Sequence, residues 1–396
     1  MANPVYLKKG EEKRILAGHL WVFSNEIDTG RSPLKEFAPG ECVALHTHRN
    51  RFLGMAYINP HSLICARIYA YTRRPLDRAL LTERISSALK LRTSLYAKPY
   101  YRLINSEGDF LPGLVADRYG EILSVQITTA GMEAVKTDLL DVLQNMTGVT
   151  GILLQNDNTM RALEQLTAEG EETHGNVPEQ WSVYEGEAHF RITHKQSQKT
   201  GWFYDQRANR ERFKHYVNNQ RVLDVCSYAG GWSVSALLGG ARAVMAIDAS
   251  QSAIDMATAN ARLNGVNERF ESICGKAFDV LDQLLQEKTR FDVIVTDPPA
   301  FIKRKKDFRS GLRGYEKLAQ QASRLLTPEG ILVSCSCSQH LSSSALQRVV
   351  QSTAHAQKRF AQVLEYGHQA PDHPIHPAMP ETAYLKAIFS RLTATT

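Results

Sequence analysis

The pattern of apolar and polar positions changes character along the chain. Over residues 1–75 the apolar residues come in short runs, Val5-Tyr6-Leu7, Glu41 to Leu45, Phe52 to Tyr57 and Leu63 to Tyr69, with turn residues such as Pro39-Gly40 and Asn59-Pro60 between them. That spacing predicts a small all-β domain. Over residues 76–186, Leu76 to Tyr96 and Met132 to Met146 have helical spacing, whereas Leu103 to Asp117, Glu121 to Ile127 and Gly151 to Leu154 are strand-like. An α+β middle domain is expected, with the polar stretch EGEETHGNVP, residues 169–178, as an exposed loop.

Over residues 187–396 strands and helices alternate, which is the pattern of a doubly wound α/β sheet. Val222, Leu223 and Val225 form a buried-strand run that ends in Ala229-Gly230-Gly231; Ser233 to Leu238 predicts a helix stopped by Gly239-Gly240; Ala243 to Ile247 is a second strand ending at Asp248. Ser250 is placed to cap a helix ending near Asn264-Gly265. Phe270 to Cys274, Phe291 to Thr296 and Ile331 to Ser336 read as further strands, Tyr315 to Leu326 as an amphipathic helix, and Tyr384 to Arg391 as a last strand.

In such a sheet ligands bind outside the carboxyl ends of the strands, and an acid after the second strand can bond ribose hydroxyls. The first turn is not G-x-G-x-x-G; Asp224 is followed after five residues by Gly230-Gly231, and there is no phosphate-cradling run ending in Lys-Ser or Lys-Thr. A nucleoside cofactor without a pyrophosphate fits better. S-adenosylmethionine is such a molecule, with Asp248 on the ribose and the first turn on the amino-acid end; another ligand on a Rossmann-like unit stays open from this stretch alone.

Composition narrows the class. The 396 residues suffice for two or three domains, and a net charge of +6 is compatible with a polyanionic partner without requiring one. Six cysteines without C-x-x-C spacing read as reduced thiols rather than a disulfide framework. No run is apolar enough for a signal core or a membrane span, so a cytoplasmic protein is expected. Basic and aromatic residues interleave in the N-terminal domain (Lys8, Lys9, Lys13, Arg14, His19, Trp21, His46, His48, Arg49, Arg51). An RNA-binding module and a solvated charged rim both fit that interleaving. The segment from His194 to Arg212 is rich in polar and charged side chains, and a hairpin leading into a helix there would lie beside the first turn.

Four groups of residues carry candidate chemistry. Asp297-Pro298-Pro299 follows a buried strand, which puts the acid at the carboxyl edge of the sheet on a stiff loop. Cys335 and Cys337 end the next strand and point to one side by period-two alternation. A thiolate is the usual nucleophile for activating carbon 5 of a pyrimidine by addition to carbon 6, though free cysteines are commonly core residues. Lys303-Arg304-Lys305-Lys306 flanks the Asp-Pro-Pro loop where phosphates of a bound strand would lie, with Phe301, Phe308 and Tyr315 as stacking groups. His373 and His376 lack supporting ligands and read as part of an ordered loop rather than a metal site.

Two resemblances extend these readings. LKKGEEKRILAGHLWVFSNEI with FAPGECVALHTHRNRFLGMAYINPHSLICARIY resembles the PUA domain, a small RNA-binding barrel. QKTGWFYDQRANR, LDVCSYAGGWSVSA, AIDAS, DPPAF, LVSCSCSQH and DHPIHPAMPETAYLK together resemble the bacterial S-adenosylmethionine-dependent methyltransferases with an N-terminal PUA domain that act on carbon 5 of a 23S rRNA cytidine. The resemblance implies a Rossmann-like class I methyltransferase sheet preceded by a PUA-like barrel and the α+β domain. It implies a cofactor site of Thr200, Gln206, Arg207, Asp224, Ser227, Tyr228, Gly230 and Asp248, closed by Asp297. Related enzymes end the fifth strand in L-V-Y-(S/V)-(T/S)-C, and LVSCSC laid on that pattern puts the catalytic thiol at Cys337. Pro299-Ala300 stands where many such enzymes have Pro-Cys, and Gly275-Lys276 where many have Gly-Asp. The DPPAF loop also resembles guanine N-methyltransferases, so that activity, and a non-catalytic ribosome assembly factor, are the alternatives. Large-subunit ribosomal RNA, naked or in a precursor particle, is the expected partner; a membrane is not, and monomer and homodimer are both open.

Overall fold

The computed structural model describes residues 2–156, 159–167, 170–193 and 201–395. The chain divides into two units: Met1–Glu179 with Pro371–Thr382, and Trp202–Ala370 with Ala383–Thr396 and the strands of 180–193.

The first unit holds two five-stranded sheets. Strands β1 (Asn3–Tyr6), β2 (Trp21–Val22), β3 (Glu41–His46), β4 (Phe52–Ile58) and β5 (Ala66–Ala70) lie in the order β1-β3-β4-β5-β2. β4 and β5 are covered on both faces, which explains their continuous apolar runs. Ala56, Ile58 and Ile68 pack with Val5, Leu20 and Val43, whereas Met55, Tyr57 and Tyr69 pack with the helix Arg78–Leu95 and the second sheet. That sheet is β6 (Tyr100–Asn105), β7 (Leu114–Tyr119), β8 (Ile122–Ile127), β9 (Gly151–Gln155) and β10 (Glu171–Gly175) in the order β10-β9-β8-β7-β6. β10 corrects the expected loop. It is an edge strand whose residues are exposed or half-buried, so it shows no apolar alternation, and pairing with β9 holds it. Residues 371–382 belong to this unit although they lie near the end of the chain. Met379 enters its core, and the buried Arg92, held bidentately by Asp109, donates to the Asp372 carbonyl at 2.7 Å.

The second unit begins with the hairpin β11 (Gln180–Glu185) and β12 (Ala188–Thr193). Its main sheet comprises β13 (Arg221–Val225), β14 (Ala243–Asp248), β15 (Phe270–Cys274), β16 (Phe291–Thr296), β17 (Leu326–Ser336), β18 (Arg359–Gly367) and β19 (Lys386–Ala394). The order is β15-β14-β13-β16-β17-β19-β18, with β13 to β17 parallel and β19 antiparallel to both neighbours. Alternation decides the two faces. Val222, Val244, Val293 and Val333 face the helices Arg207–Phe213, Gly231–Leu238 and Gln251–Leu263. Leu223, Ile247, Ile294 and Leu332 face the helices Ala277–Gln286, Phe308–Arg324 and Ser343–Ala356. The doubly wound expectation thus holds. β18 was not legible, because Phe360, Leu364 and Tyr366 stand exposed on this edge strand. The chain order reverses between β14 and β16 around β13, and that switch point marks where a ligand crevice opens at the strand ends.

Candidate functional site

β13 ends in a loop that turns sharply. Cys226 and Tyr228 adopt positive φ (68° and 48°), and the amides of Cys226 and Ser227 both donate to the Ile247 carbonyl at 2.8 and 3.0 Å. Non-glycine residues at positive φ are strained and persist where the surroundings enforce them. Gly230, at φ +80°, starts the following helix, and a Cβ there would stand 3.0 Å from Ala257 Cβ. Gly230→Ala should therefore cost about 1–3 kcal/mol of stability, measurable by urea denaturation.

Three carboxylates converge on this loop. Asp224 is fully buried; its Oδ2 accepts from Ser233 Oγ at 2.7 Å, and its Oδ1 has no partner among the described residues. Burial pushes its carboxyl up to about 7, against the Ser233 bond, with Asp297 and Asp248 adding to the rise. Ser227 Oγ is likewise buried and without a partner among the described residues. Asp297 is capped on one oxygen, Oδ2, by Gln206 Nε2 at 2.9 Å and Trp232 Nε1 at 3.0 Å; burial raises it to about 6 in spite of these bonds. Asp248 is half-buried and ties the loops, accepting from the Tyr228 amide at 2.9 Å and the Ser250 amide at 3.0 Å. Each of its oxygens keeps a lone pair for a ligand hydroxyl.

Gln206 is buried in the turn Tyr204–Gln206 and is itself held by Asn209 at 2.7 Å. Arg207 opens the helix Arg207–Phe213, half-buried, 3.6 Å from Glu185 and over the Tyr204 ring. Thr200 lies outside the described residues, as does the beginning of the segment expected to form a hairpin before that helix. The structure thus brings Gln206, Asp224 and Asp297 into one bonded or electrostatically coupled cluster, with Ser227, Tyr228, Gly230 and Asp248 on the adjoining loop. Sequence reasoning missed the groups that fix this cluster: Trp232 and Ser233 on the first helical turn, and Tyr384, whose hydroxyl donates to Asp205 at 2.8 Å. An orphaned carboxylate oxygen and a hydroxyl beside a left-handed glycine suit a ligand bearing an ammonium group, and a ribose diol suits the free lone pairs of Asp248.

The two cysteines at the end of β17 differ. Cys335 lies in the core among Trp232, Val333 and Phe389, and burial pushes its thiol well up. Cys337 is half-buried, one residue beyond the strand. Its neighbours are pinned: Ser338 Oγ accepts from the Ile302 amide at 3.1 Å and pairs with Tyr315 Oη at 2.9 Å, and Ser336 Oγ donates to Tyr315 Oη at 2.8 Å. The Ile302 bond also ties the Asp-Pro-Pro loop to the end of β17. Lys303, Arg304, Lys305 and Lys306 follow that tether and are all exposed. Arg304 pairs with Asp307 at 3.1 Å, whereas Lys303, Lys305 and Lys306 have no carboxylate partner among the described residues. No group of described His, Cys, Asp and Glu side chains could hold a metal, and no described helix is long and apolar enough to cross a membrane.

Comparison with known proteins agrees with this geometry. Residues 158–391 match the S-adenosylmethionine-dependent methyltransferase family, and residues 5–71 match a PUA-like domain. The chain is 35% identical to a Cronobacter sakazakii protein named ribosomal RNA large subunit methyltransferase I, over 98% of each chain. It is 34% identical to a Methanocaldococcus jannaschii protein named putative ribosomal RNA large subunit methyltransferase, again over 98% of each. Its fold is similar to that of a putative methyltransferase crystallised with SAH, with a TM-score of 0.85 and 18% identity over 98% of this chain and 100% of that one.

Proposed function

The chain belongs to the S-adenosylmethionine-dependent methyltransferase family, and from that premise we propose that it methylates carbon 5 of a cytidine in large-subunit ribosomal RNA, in the cytoplasm, through an adduct on Cys337. The observation that carries the reading is the contrast between the two thiols: Cys335 is sealed in the core, whereas Cys337 is accessible at the carboxyl edge of the sheet. A guanine N-methyltransferase has no use for such a thiol. The relatives named for large-subunit ribosomal RNA and the PUA-like domain support the choice of substrate.

The residues present fit the cofactor. Asp224 Oδ1 and Ser227 Oγ would take its ammonium end, Asp248 its ribose, and Gly230 leaves room for close approach. Bound there, S-adenosylmethionine supplies an electrophilic methyl group. Gln206 reaches this cluster through its bond to Asp297, and Arg207 and Thr200 are assigned to the cofactor by resemblance alone. The chain's part in the chemistry is then as follows. The Cys337 sulfur adds to carbon 6 of an extruded cytosine, which gives carbon 5 enamine character. Asp297, whose second oxygen is not used by Gln206 or Trp232, bonds N3 or the amino group of the ring. After methylation, a base takes the carbon-5 proton, the electron pair of that C–H bond re-forms the carbon 5–carbon 6 double bond, and the carbon 6–sulfur bond breaks to return the Cys337 thiolate.

Methyl transfer from labelled S-adenosylmethionine to unmodified large-subunit rRNA, with nucleoside analysis, tests the proposal. Label in 5-methylcytidine is expected; label in a methylguanosine would overturn it, and absence of label on naked RNA would move the assay to precursor particles.

The RNA itself is assigned to two sets of cations. Lys303, Lys305 and Lys306, with no carboxylate partner among the described residues, stand beside the site, and in the first unit exposed Arg31 and Arg73 lie 3.6 and 4.4 Å from the ring centroids of Tyr6 and Phe52. Reversing the charges of residues 303–306 should weaken RNA binding at least about tenfold at moderate salt. It should also flatten the dependence of log affinity on log salt by roughly two units, as expected for about three lost phosphate contacts. Filter binding across a salt series reads both.

A further inference from the structure

Lys386 opens β19 and is 8% exposed. Its register partner on β17 is Ser336, one residue before Cys337. From there its side chain reaches past that cysteine: Nζ donates to the Ser338 carbonyl at 2.8 Å and to the Tyr384 carbonyl at 2.8 Å. Two of its three N–H groups are thereby fixed by main-chain oxygens, one of them on the residue after Cys337, and one remains. Lys386 forms no ion pair with a carboxylate among the described residues. A buried cation without a carboxylate partner is costly, so a lysine kept there calls for a partner that becomes negative.

Among the described residues, the titratable groups that feel the charge of Cys337 are Tyr315 from the helix Phe308–Arg324, Cys335 on its own strand and Lys386 on β19; Asp297, at the end of β16, acts on Cys335. Of these only Lys386 carries a positive charge. Burial holds Tyr315 as a neutral phenol, and Asp297 opposes a negative charge on Cys335.

We propose that the Lys386 ammonium is the counter-ion that holds the Cys337 sulfur as a thiolate. Lys386 is thus a positioning residue for the nucleophile. This inference rests on the reading of Cys337 as nucleophile. The thiol gives its proton to water, the sulfur keeps the electron pair of the S–H bond, and Lys386 stays protonated throughout. Burial, offset only by Cys337, lowers Lys386 to about 8, which leaves it charged at neutral pH and losing its charge just above it. The same site therefore supports a thiolate at pH 7 and loses that support as the lysine deprotonates.

The test is alkylation of the full-length protein by iodoacetamide between pH 6 and pH 9.5, followed on the Cys337 peptide by mass spectrometry so that the other cysteines do not interfere. Lys386→Met should slow alkylation at pH 7 by about tenfold, and the two proteins should converge at high pH, where the thiol ionises unaided. Lys386→Arg should stay near the wild type. An unchanged profile in Lys386→Met overturns the proposal. So does a uniform slowing at every pH, which would mark a packing role, or a rise in KM for RNA with no change in alkylation, which would mark a contact to the substrate. Should Lys386→Met fail to fold, Lys386→Gln keeps a donor for the Ser338 carbonyl without the charge and reads the same profile. Alkylation needs no RNA. Normal 5-methylcytidine formation by Cys337→Ser would sink the nucleophile reading alone, whereas a pH profile indifferent to Lys386 would sink the counter-ion alone.

Discussion

Cys337→Ser should lose methyl transfer by at least about 10³-fold, roughly 4 kcal/mol in the transition state, while binding S-adenosylmethionine as the wild type does. A hydroxyl at that position is a far poorer nucleophile toward carbon 6, and the described bonds that shape the cofactor loop run through Ile247, Asp248 and Ser250. Cys335→Ser should behave in the opposite way. The residue is 1% exposed, and burial disfavours its ionised form, so it makes no thiolate at neutral pH. Turnover at saturating substrate should stay near normal, whereas the buried hydroxyl should cost about 1–3 kcal/mol of stability in urea. Single-turnover methylation and denaturation on the two variants separate the roles. If Cys337→Ser keeps normal turnover and Cys335→Ser loses it, the assignment is inverted. If neither matters, the cytosine carbon-5 reading falls and both thiols are packing residues.

That contrast between two cysteines two residues apart shows where sequence reading ends. The alternation of β13, β14, β16 and β17 was legible because each strand is buried on both faces and bounded by glycines or by an acid. The placing of Asp248 and Asp297 at strand ends followed from that. What the pattern could not give was the direction of individual bonds. Trp232 reads as an apolar residue just before the expected helix, yet its indole N–H holds Asp297. Ser233 reads as a helix-start residue, yet it bonds the Asp224 carboxyl. Lys386 reads as a strand-end charge, yet it is buried and bonded across the sheet to Ser338. β10 was hidden because an edge strand needs backbone partners and no apolar side chains, and residues 371–382 because their contacts span some 280 positions of sequence, as between Arg92 and Asp372. Each of these depends on tertiary proximity, which neither period nor propensity records.

The same buried acid that the pattern placed at the end of the first strand gives the second large effect. Asp224 has its carboxyl raised from 3.8 to about 7, chiefly by burial. Between those values the folded protein holds a proton that the unfolded chain has released, so the cofactor-free protein should lose stability as pH rises from about 4 to 7. A ligand ammonium reverses the preference, since it needs the ionised form. Affinity for S-adenosylmethionine should therefore rise with pH, roughly eightfold between pH 6 and pH 7.5, in step with the ionised fraction of a group titrating near 7. Asp224→Asn should weaken binding at pH 7.5 by about 10- to 100-fold, the range for one hydrogen bond to a charged group. It should also flatten the pH dependence. Because asparagine can still accept from Ser233 and carries no charge, the cofactor-free variant should melt higher than the wild type at pH 7.5. Weaker binding by a more stable protein cannot come from misfolding. Calorimetric titration across pH, paired with thermal melts, checks both, and an unchanged pH slope in the variant would remove Asp224 from the ammonium site and leave its burial as a cost without this use.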